Sequence, residues 1–381
     1  MTSRITNLLL IAVLAFSILV ISTNAQEVWT GEAIVIKEDG TVYPQNAPIS
    51  KNGMTYTLTG DVKVSKFGII VQLDAINIDG AGHLIEGPGL STIELLDFED
   101  IITDVESTGI YMSLKQNITI ENLTIAHFYD DIQLISSSYN VISNNIIDRC
   151  NKYGIYLKSA SNHNKIINNY FMEEMTITES TDNKILNNNF DGNYSSLSLY
   201  SSPNNQISGN KFENMPNHGA IFLSSSETTN NVISNNTMLE CYRGIYFWHY
   251  PNENEIFNNT IKNCVYVFSF NEISSHVNRF YYNNLIDNSN ILQGNLTANS
   301  QQFDDGAGIG NYFSDYGGID ANDDGIGDSP YMITTVTIDN YPLMEPYNGA
   351  VIPEFSSWFI ILLFLVATIF ALSVRRRIKQ N

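Results

Sequence analysis

Cysteine is scarce: Cys150, Cys241 and Cys264 are the whole complement in 381 residues, too few to staple a disulfide scaffold. Positive charge is also short, with 19 Lys and Arg against 40 Asp and Glu and a formal charge of −21. A chain so poor in cations has no basic face for phosphates, which excludes nucleic acid as a partner. Its field repels anionic polymers and attracts cations. Only 15% of residues are charged while 43% are hydrophobic, so the chain can build a core, and its polar residues are mainly Asn, Ser and Thr. Between the two ends no amphipathic helix can be read. An open parallel sheet needs crossover helices, so that architecture is excluded too.

Long apolar runs occur only at the ends. Arg4 precedes an apolar run from Leu8 to Ile21, then "STNAQ" with Ala25 as a cleavage point, the layout of a secretory signal peptide. An uncleaved anchor helix is the alternative. Residues 355–374, "FSSWFIILLFLVATIFALSV", are twenty uncharged residues, enough to cross a bilayer. "RRRIK" follows, which places the C-terminus in the cytoplasm and residues from about 26 to 350 outside. The exported part keeps fourteen of the bases and thirty-nine of the acids, a net charge near −25. The chain divides into a signal peptide (1–25), an N-terminal cap (26–75), repeats (76–300), an acidic C-terminal cap (301–350) and a transmembrane anchor or sorting signal (351–381).

What is abundant is a repeat. The pattern N-x-φ-x-x-N-x-φ, with φ apolar, occurs seven times, as in Asn164/Ile166/Asn169/Phe171 within "NKIINNYF". Its second asparagines, Asn145, Asn169, Asn188, Asn210, Asn236, Asn259 and Asn283, lie 19 to 26 residues apart and average 23. A fixed motif at variable spacing describes a coil whose loops differ and whose corner does not. The two apolar positions are five apart, so on one straight strand they would point to opposite faces. Both reach a core only if the chain bends between them. Asparagine is the side chain best suited to the left-handed bend, and stacked copies can join their amides into a ladder. A second strand follows each corner in "GIYL" 154–157, "AIFL" 220–223 and "GIYF" 244–247, with Ile155/Leu157, Ile221/Leu223 and Ile245/Phe247 inward. The expectation is an all-β, right-handed parallel β-helix of about nine to ten coils with an asparagine ladder, two caps and one C-terminal transmembrane helix. An antiparallel sandwich fits a fixed corner motif poorly.

The repeat resembles the pectate-lyase-like β-helix superfamily, specifically the NosD-like group of exported repeat proteins. "GTVYPQNAPISKNGMTYTLTGDV" and "INIDGAGHLIEG" look like that group's N-terminal cap and first coil, and "GNYFSDYGGIDANDDGIGDSPY" with "IDNYPLMEPY" like its C-terminal cap. "PEF" before the last apolar run resembles an archaeal C-terminal sorting signal. The coil at "NITIENLTI" has Leu123 where the second asparagine would fall, which predicts a looser corner.

The superfamily contains lyases, hydrolases, epimerases and non-enzymes, so the resemblance does not decide activity. The conserved-type set "NTD…DD…GHG…RIK" of β-helix polygalacturonases is not assembled, since "RIK" occurs only at 377–379. Asp130-Asp131 is an acidic doublet on the coils and reads as a solvated pair at a strand start. Arg243 and Lys262 with Glu240 are the candidates for a lyase base, and nothing separates them from surface charge. No catalytic residue is assigned. The resemblance implies copper, but the six histidines are scattered and Met172/Met175 is a lone M-x-x-M. Calcium is better supported. "DANDDGIGD" places Asp320, Asn322, Asp324, the Ile326 carbonyl and Asp328 at positions 1, 3, 5, 7 and 9 of a calcium loop, with Gly325 at 6. Tyr331 occupies position 12 in place of Glu. No Lys or Arg lies between Arg279 and Arg375, leaving ten acids in 280–350 without a local counter-charge. "GIYFWHYP" turns Tyr246, Trp248 and Tyr250 outward, with Tyr266 expected one coil above Tyr246, an aromatic row on which sugar rings could stack or rings pack on each other. Six sequons, at Asn117, Asn122, Asn193, Asn235, Asn258 and Asn295, could carry glycans. Three readings follow: a surface-anchored, non-catalytic protein binding envelope carbohydrate or a surface-layer protein, a polysaccharide-acting enzyme, or a metal-handling protein.

Overall fold

The computed structural model describes residues 28–89, 107–194, 196–271, 277–294, 296 and 301–348. Both apolar ends, the expected signal peptide and the expected membrane helix, lie outside these residues. Among the described residues no helix is long and apolar enough to cross a membrane.

Three sheets run the length of a solenoid of about nine turns. Sheet 1 has twelve strands from Trp29–Gly31 to Tyr312–Phe313, sheet 2 twelve ending at Asn290–Gln293, and sheet 3 eleven ending at Arg279–Tyr281. One coil shows the logic. Val141–Ser143 lies on sheet 3, Ile146–Asp148 on sheet 1 and Tyr153–Lys158 on sheet 2, and the chain returns to sheet 3 at Lys165–Ile167. Neighbouring coils pair in parallel and in register, Ile142 on Ile166, Ile147 on Phe171 and Ile155 on Met175. The strands of sheets 1 and 3 are short because each coil spends one apolar residue there on the core and then turns, while sheet 2 strands place two, such as Ile155 and Leu157. Those residues stack into columns, such as Ile142, Ile166, Ile185, Ile207, Ile233 and Ile256, all at 0% exposure. Phe171, Phe190 and Phe212 form a ring stack with centroids 4.5 and 4.6 Å apart. Each such side chain contributes about 1.5–3 kcal/mol on burial.

The corner explains why asparagine comes in pairs. The first member takes the left-handed conformation, with φ of 57° at Asn144, 57° at Asn168, 54° at Asn187, 57° at Asn235 and 54° at Asn258. Gly209 fills the same slot at 71°. The second member is buried and forms the ladder. The Oδ1 of Asn169 accepts from the backbone N–H of Asn145 at 3.0 Å and from its Nδ2 at 3.0 Å. The same pair of bonds recurs up the stack through Asn188, Asn210, Asn236, Asn259, Asn283 and Asn311.

The first asparagine of the motif makes a second ladder, which the sequence reading did not foresee. Asn140, Asn164, Asn183, Asn205, Asn231, Asn254 and Asn278 are each 0–1% exposed. Each accepts the backbone N–H of its predecessor, and the run ends on Gln301. The corner at Leu123 is not looser. Asn122 supplies the left-handed turn (φ 58°), Leu123 is 2% exposed, and its N–H donates to Asn145 at 3.0 Å. Position 123 starts the ladder, so it needs a donor N–H and an apolar filler but no amide of its own.

The two ends are closed differently. At the N-terminal end the antiparallel pair Ile49–Asn52 and Thr55–Leu58 covers the first coil. At the other, the asparagine ladder ends on Asp339, whose Oδ2 accepts from the Asn311 N–H at 2.7 Å and Nδ2 at 3.0 Å. Burial pushes this carboxyl up to about 7, against the lowering effect of its N–H donors.

Candidate functional site

Sheet 2 carries the residues with chemistry. Its strands are the longest in the coil, so they place residues on an outer face as well as in the core. Register lines up Gln133, Tyr156, Thr176, Ser198, Phe222, Tyr246 and Ser269 in one outward column. Tyr200, Ser224 and Trp248 form the next. Large rings on these columns interlock: Tyr200 lies 5.4 Å from Phe222, and Phe222 lies 5.2 Å from Tyr246 and 5.6 Å from Trp248. The result is an aromatic ledge across three coils.

Of the four aromatics expected to form the row, Tyr246 and Trp248 lie on this ledge. Tyr250 does not: it sits past the strand end, 48% exposed and left-handed at φ 64°. Tyr266 is also displaced from its expected place. It pairs with Arg243 and meets the Tyr242 ring edge-on at 5.6 Å, while Ser269 stacks on Tyr246. The offset was legible, because Tyr266 falls two residues after Cys264 as Arg243 falls two after Cys241. Tyr200 and Phe222 were missed because each is the single ring of its own strand, Leu197–Tyr200 and Gly219–Ser224, and only register joins them.

Beside the ledge is a pocket of about 320 Å³, at the lower end of ligand-sized clefts of roughly 300–1,000 Å³. Its polar lining includes Glu174, Ser198, His218 and Arg243, with Tyr200 and Tyr246 bounding it. Burial raises the Glu174 carboxyl above its ordinary range although hydrogen bonds from Ser198 and Thr176 oppose this, the latter at 3.2 Å. Burial also pushes Tyr200 up to about 12. Arg243 lies against two rings, 4.6 Å from the Tyr242 centroid and 4.7 Å from that of Tyr246, and its Nε donates to Gln293 at 2.9 Å. On the rim, Tyr194 is 59% exposed and packs on His218 at 4.8 Å. Lys262 lies on sheet 1 and has no part in this pocket.

A second acidic group lies two coils away. Asp130 and Asp131 are 1% and 0% exposed, not the solvated doublet expected. Their strand is flanked on both sides, by Thr108–Ser113 and Tyr153–Lys158, and Gly109 lets the backbone at Asp131 approach closely. Gln133 donates to Asp130 at 2.7 Å. Burial drives the Asp131 carboxyl far up, with Glu173, Asp148 and Asp130 adding repulsion and the Phe128 amide opposing. Glu173 is pushed up to about 7, first by burial and then by Asp148.

The cysteines are free and buried. Contact with the Cys264 thiol, then burial, raise Cys241.

Among the described residues no group of three or more His, Cys, Asp and Glu is placed to hold a metal ion. Among the described residues the five histidines each have a different neighbour. His83 meets Asp61 at 3.0 Å and His127 meets Glu86 at 3.5 Å, while His163, His218 and His249 pack on Tyr139, Tyr194 and Trp248. Met172 is 41% exposed and Met175 is in the core, so that pair does not converge. These residues do not fit a copper centre, and none is assigned. In the acidic cap, Asp320 accepts the N–H groups of Asp324 and Gly325, Asp324 that of Ile326, and Asp328 that of Ala321. Asn322 donates its amide to Asp324 at 2.9 Å.

Fold and site together define a right-handed parallel β-helix with a groove on one sheet. The family model described as right handed beta helix region matches residues 32–176, and that described as periplasmic copper-binding protein (NosD) matches residues 172–318. The chain is thus a NosD-like right-handed β-helix protein. No curated protein matches it. Solved structures resemble its fold. DFA-IIIase from Arthrobacter chlorophenolicus A6 has 11% identity, covering 65% of this chain and 69% of that one at a TM-score of 0.46. An exopolygalacturonase from Thermotoga maritima has 12% identity over 65% and 72% at 0.40, and the Streptococcus pneumoniae surface protein and adhesin PfbA 12% over 66% and 89% at 0.37.

Proposed function

We propose that this chain is an exported, surface-held β-helix that binds envelope carbohydrate along sheet 2 and performs no catalysis. The observation that carries the reading is the ledge of Tyr200, Phe222, Tyr246 and Trp248 beside a polar pocket. Aromatic faces seat the apolar faces of sugar rings, and hydroxyl and amide groups around them meet sugar hydroxyls. Coil stacking repeats such contacts along one direction, as an extended polymer requires. Binding to a glycan array tests it. Tyr246→Ala and Trp248→Ala should each weaken binding about threefold to tenfold, the amount a ring contact of roughly 0.5–1.5 kcal/mol supplies. Unchanged binding in both variants would remove the ledge from the reading.

A polysaccharide-acting enzyme is the second reading, favoured by the half-buried Glu174 carboxyl at the pocket, whose raised affinity for a proton suits a general acid. Product release from polysaccharide that Glu174→Gln abolishes would make it the first. Calcium at Asp320, Asn322, Asp324, Ile326 and Asp328 belongs to the same proposal as a stabiliser of the acidic cap, and its binding requires these carboxylates to turn from the backbone N–H groups they accept toward the ion. A cation held at a hundredfold excess over its Kd adds about 2.7 kcal/mol. Chelator should therefore lower the Tm of the wild type and leave Asp324→Ala unmoved. A wild-type Tm indifferent to chelator would leave the loop a turn without an ion.

A further inference from the structure

Arg243 is singular among the arginines. The described residues include three of them, and two are paired, Arg149 with Asp148 at 3.1 Å and Arg279 with Glu255 at 3.2 Å. In a chain with 40 acids, Arg243 has no carboxylate within 4 Å among the described residues. It is also held in place. Tyr242 and Tyr246 both lie within 5 Å of the guanidinium carbon, and Gln293 takes its Nε, which leaves the two terminal nitrogens for another partner. The acid that shares its pocket, Glu174, is half-buried and forms no ion pair with Arg243. The pocket therefore holds a guanidinium with no paired carboxylate, inside a strongly acidic protein.

We propose that this pocket is a subsite for the carboxylate of an acidic sugar, with Arg243 as the residue that selects it. The inference rests on the glycan-binding reading above and names its ligand class. A guanidinium presents a planar fork of donors that matches a carboxylate's two oxygens. Ser198 can add a hydrogen bond to the same group. The formal charge of −21 limits how many further carboxylates the ligand can carry nearby. Repulsion between exposed charges fades over about 8 Å at physiological salt. A glycan whose acidic residues are separated by neutral ones therefore fits better than one charged at every ring, and its binding should not weaken steeply with salt.

The test uses a matched pair, hyaluronan oligosaccharides, which alternate a uronic acid with a neutral amino sugar, and the same oligosaccharides with their carboxyls reduced to alcohols. The full-length protein should bind the acidic form about tenfold to a hundredfold more tightly, the range of a charged hydrogen-bonded pair. Arg243→Gln should bring the two affinities together, and Arg243→Lys should keep a smaller preference because an ammonium cannot fork. Equal wild-type affinity for the two forms overturns the subsite and leaves the groove reading standing. A preference that survives Arg243→Gln, in protein whose Tm matches wild type, overturns the role of Arg243. Should either variant fail to fold, the wild-type comparison alone decides for or against the carboxylate. If the protein binds neither oligosaccharide nor any other glycan, the groove reading falls with it.

Discussion

Replacing Asn210 with leucine removes a polar side chain while keeping nearly its shape, which isolates the ladder from simple packing. Asn210 is 1% exposed and makes four side-chain bonds. Its Oδ1 accepts from the N–H of Asn188 at 2.9 Å and from its Nδ2 at 3.0 Å. Its Nδ2 donates to the carbonyl of Ile185 at 2.8 Å and to the Oδ1 of Asn236 at 3.0 Å. The losses are unequal. The Asn188 Nδ2 keeps the Ile166 carbonyl, and the Asn236 Oδ1 keeps the Asn210 backbone N–H. The Asn188 N–H keeps nothing. A buried donor left without a partner costs about 1–3 kcal/mol, and each exchanged bond about 1 kcal/mol. Leucine recovers part of this through its apolar surface, so the net loss should be about 3 kcal/mol. Urea denaturation followed by circular dichroism reads it, and Tm should fall by about 5 °C. In a solenoid the loss is confined to the interfaces with the coils on either side. A change below about 1 kcal/mol would refute the reasoning, because the Asn188 N–H would then have found a partner that the ladder geometry does not provide.

The neighbouring corner position should behave oppositely. Asn168 is exposed with φ of 57°, so Asn168→Gly should alter stability by less than about 0.5 kcal/mol, whereas Asn168→Val should cost about 1–2 kcal/mol of left-handed strain. Equal effects of Gly and Val would show that the turn does not depend on that residue. Asp339 gives a pH dependence. Its folded pKa, about 7, lies above the ordinary value of 3.8, so its contribution is fully present below about pH 4 and is lost as pH rises to about 7. Asp339→Asn should flatten the stability profile over that window, and an unchanged slope would move the titration to other groups such as Glu173.

The fold was largely written in the chain. A φ-to-φ distance of five in each motif forces a bend between two inward residues, whatever lies elsewhere, and asparagine at the bend can serve only a few geometries. Periodicity of that kind is local, so the columns Ile142 to Ile256 and the first ladder could be counted from spacing alone. The second ladder was equally present as Asn140, Asn164 and their successors, but one asparagine per corner already satisfied the bend argument, and the need for two appears only when each buried N–H must find an acceptor. The groove was not legible in the same way. Phe222, Tyr246 and Tyr200 stand more than twenty residues apart in sequence and become neighbours through a register fixed by loops of unequal length. A single misjudged offset put Tyr266 beside Tyr246 when it stacks on Arg243. Burial was equally hidden: Asp130 and Asp131 look solvated as a doublet, and only flanking strands make them interior. The sequence thus determined the coil, because its causes act within one repeat. The tertiary structure decided which side chains share a face, because that depends on how far each intervening loop carries the chain before it returns.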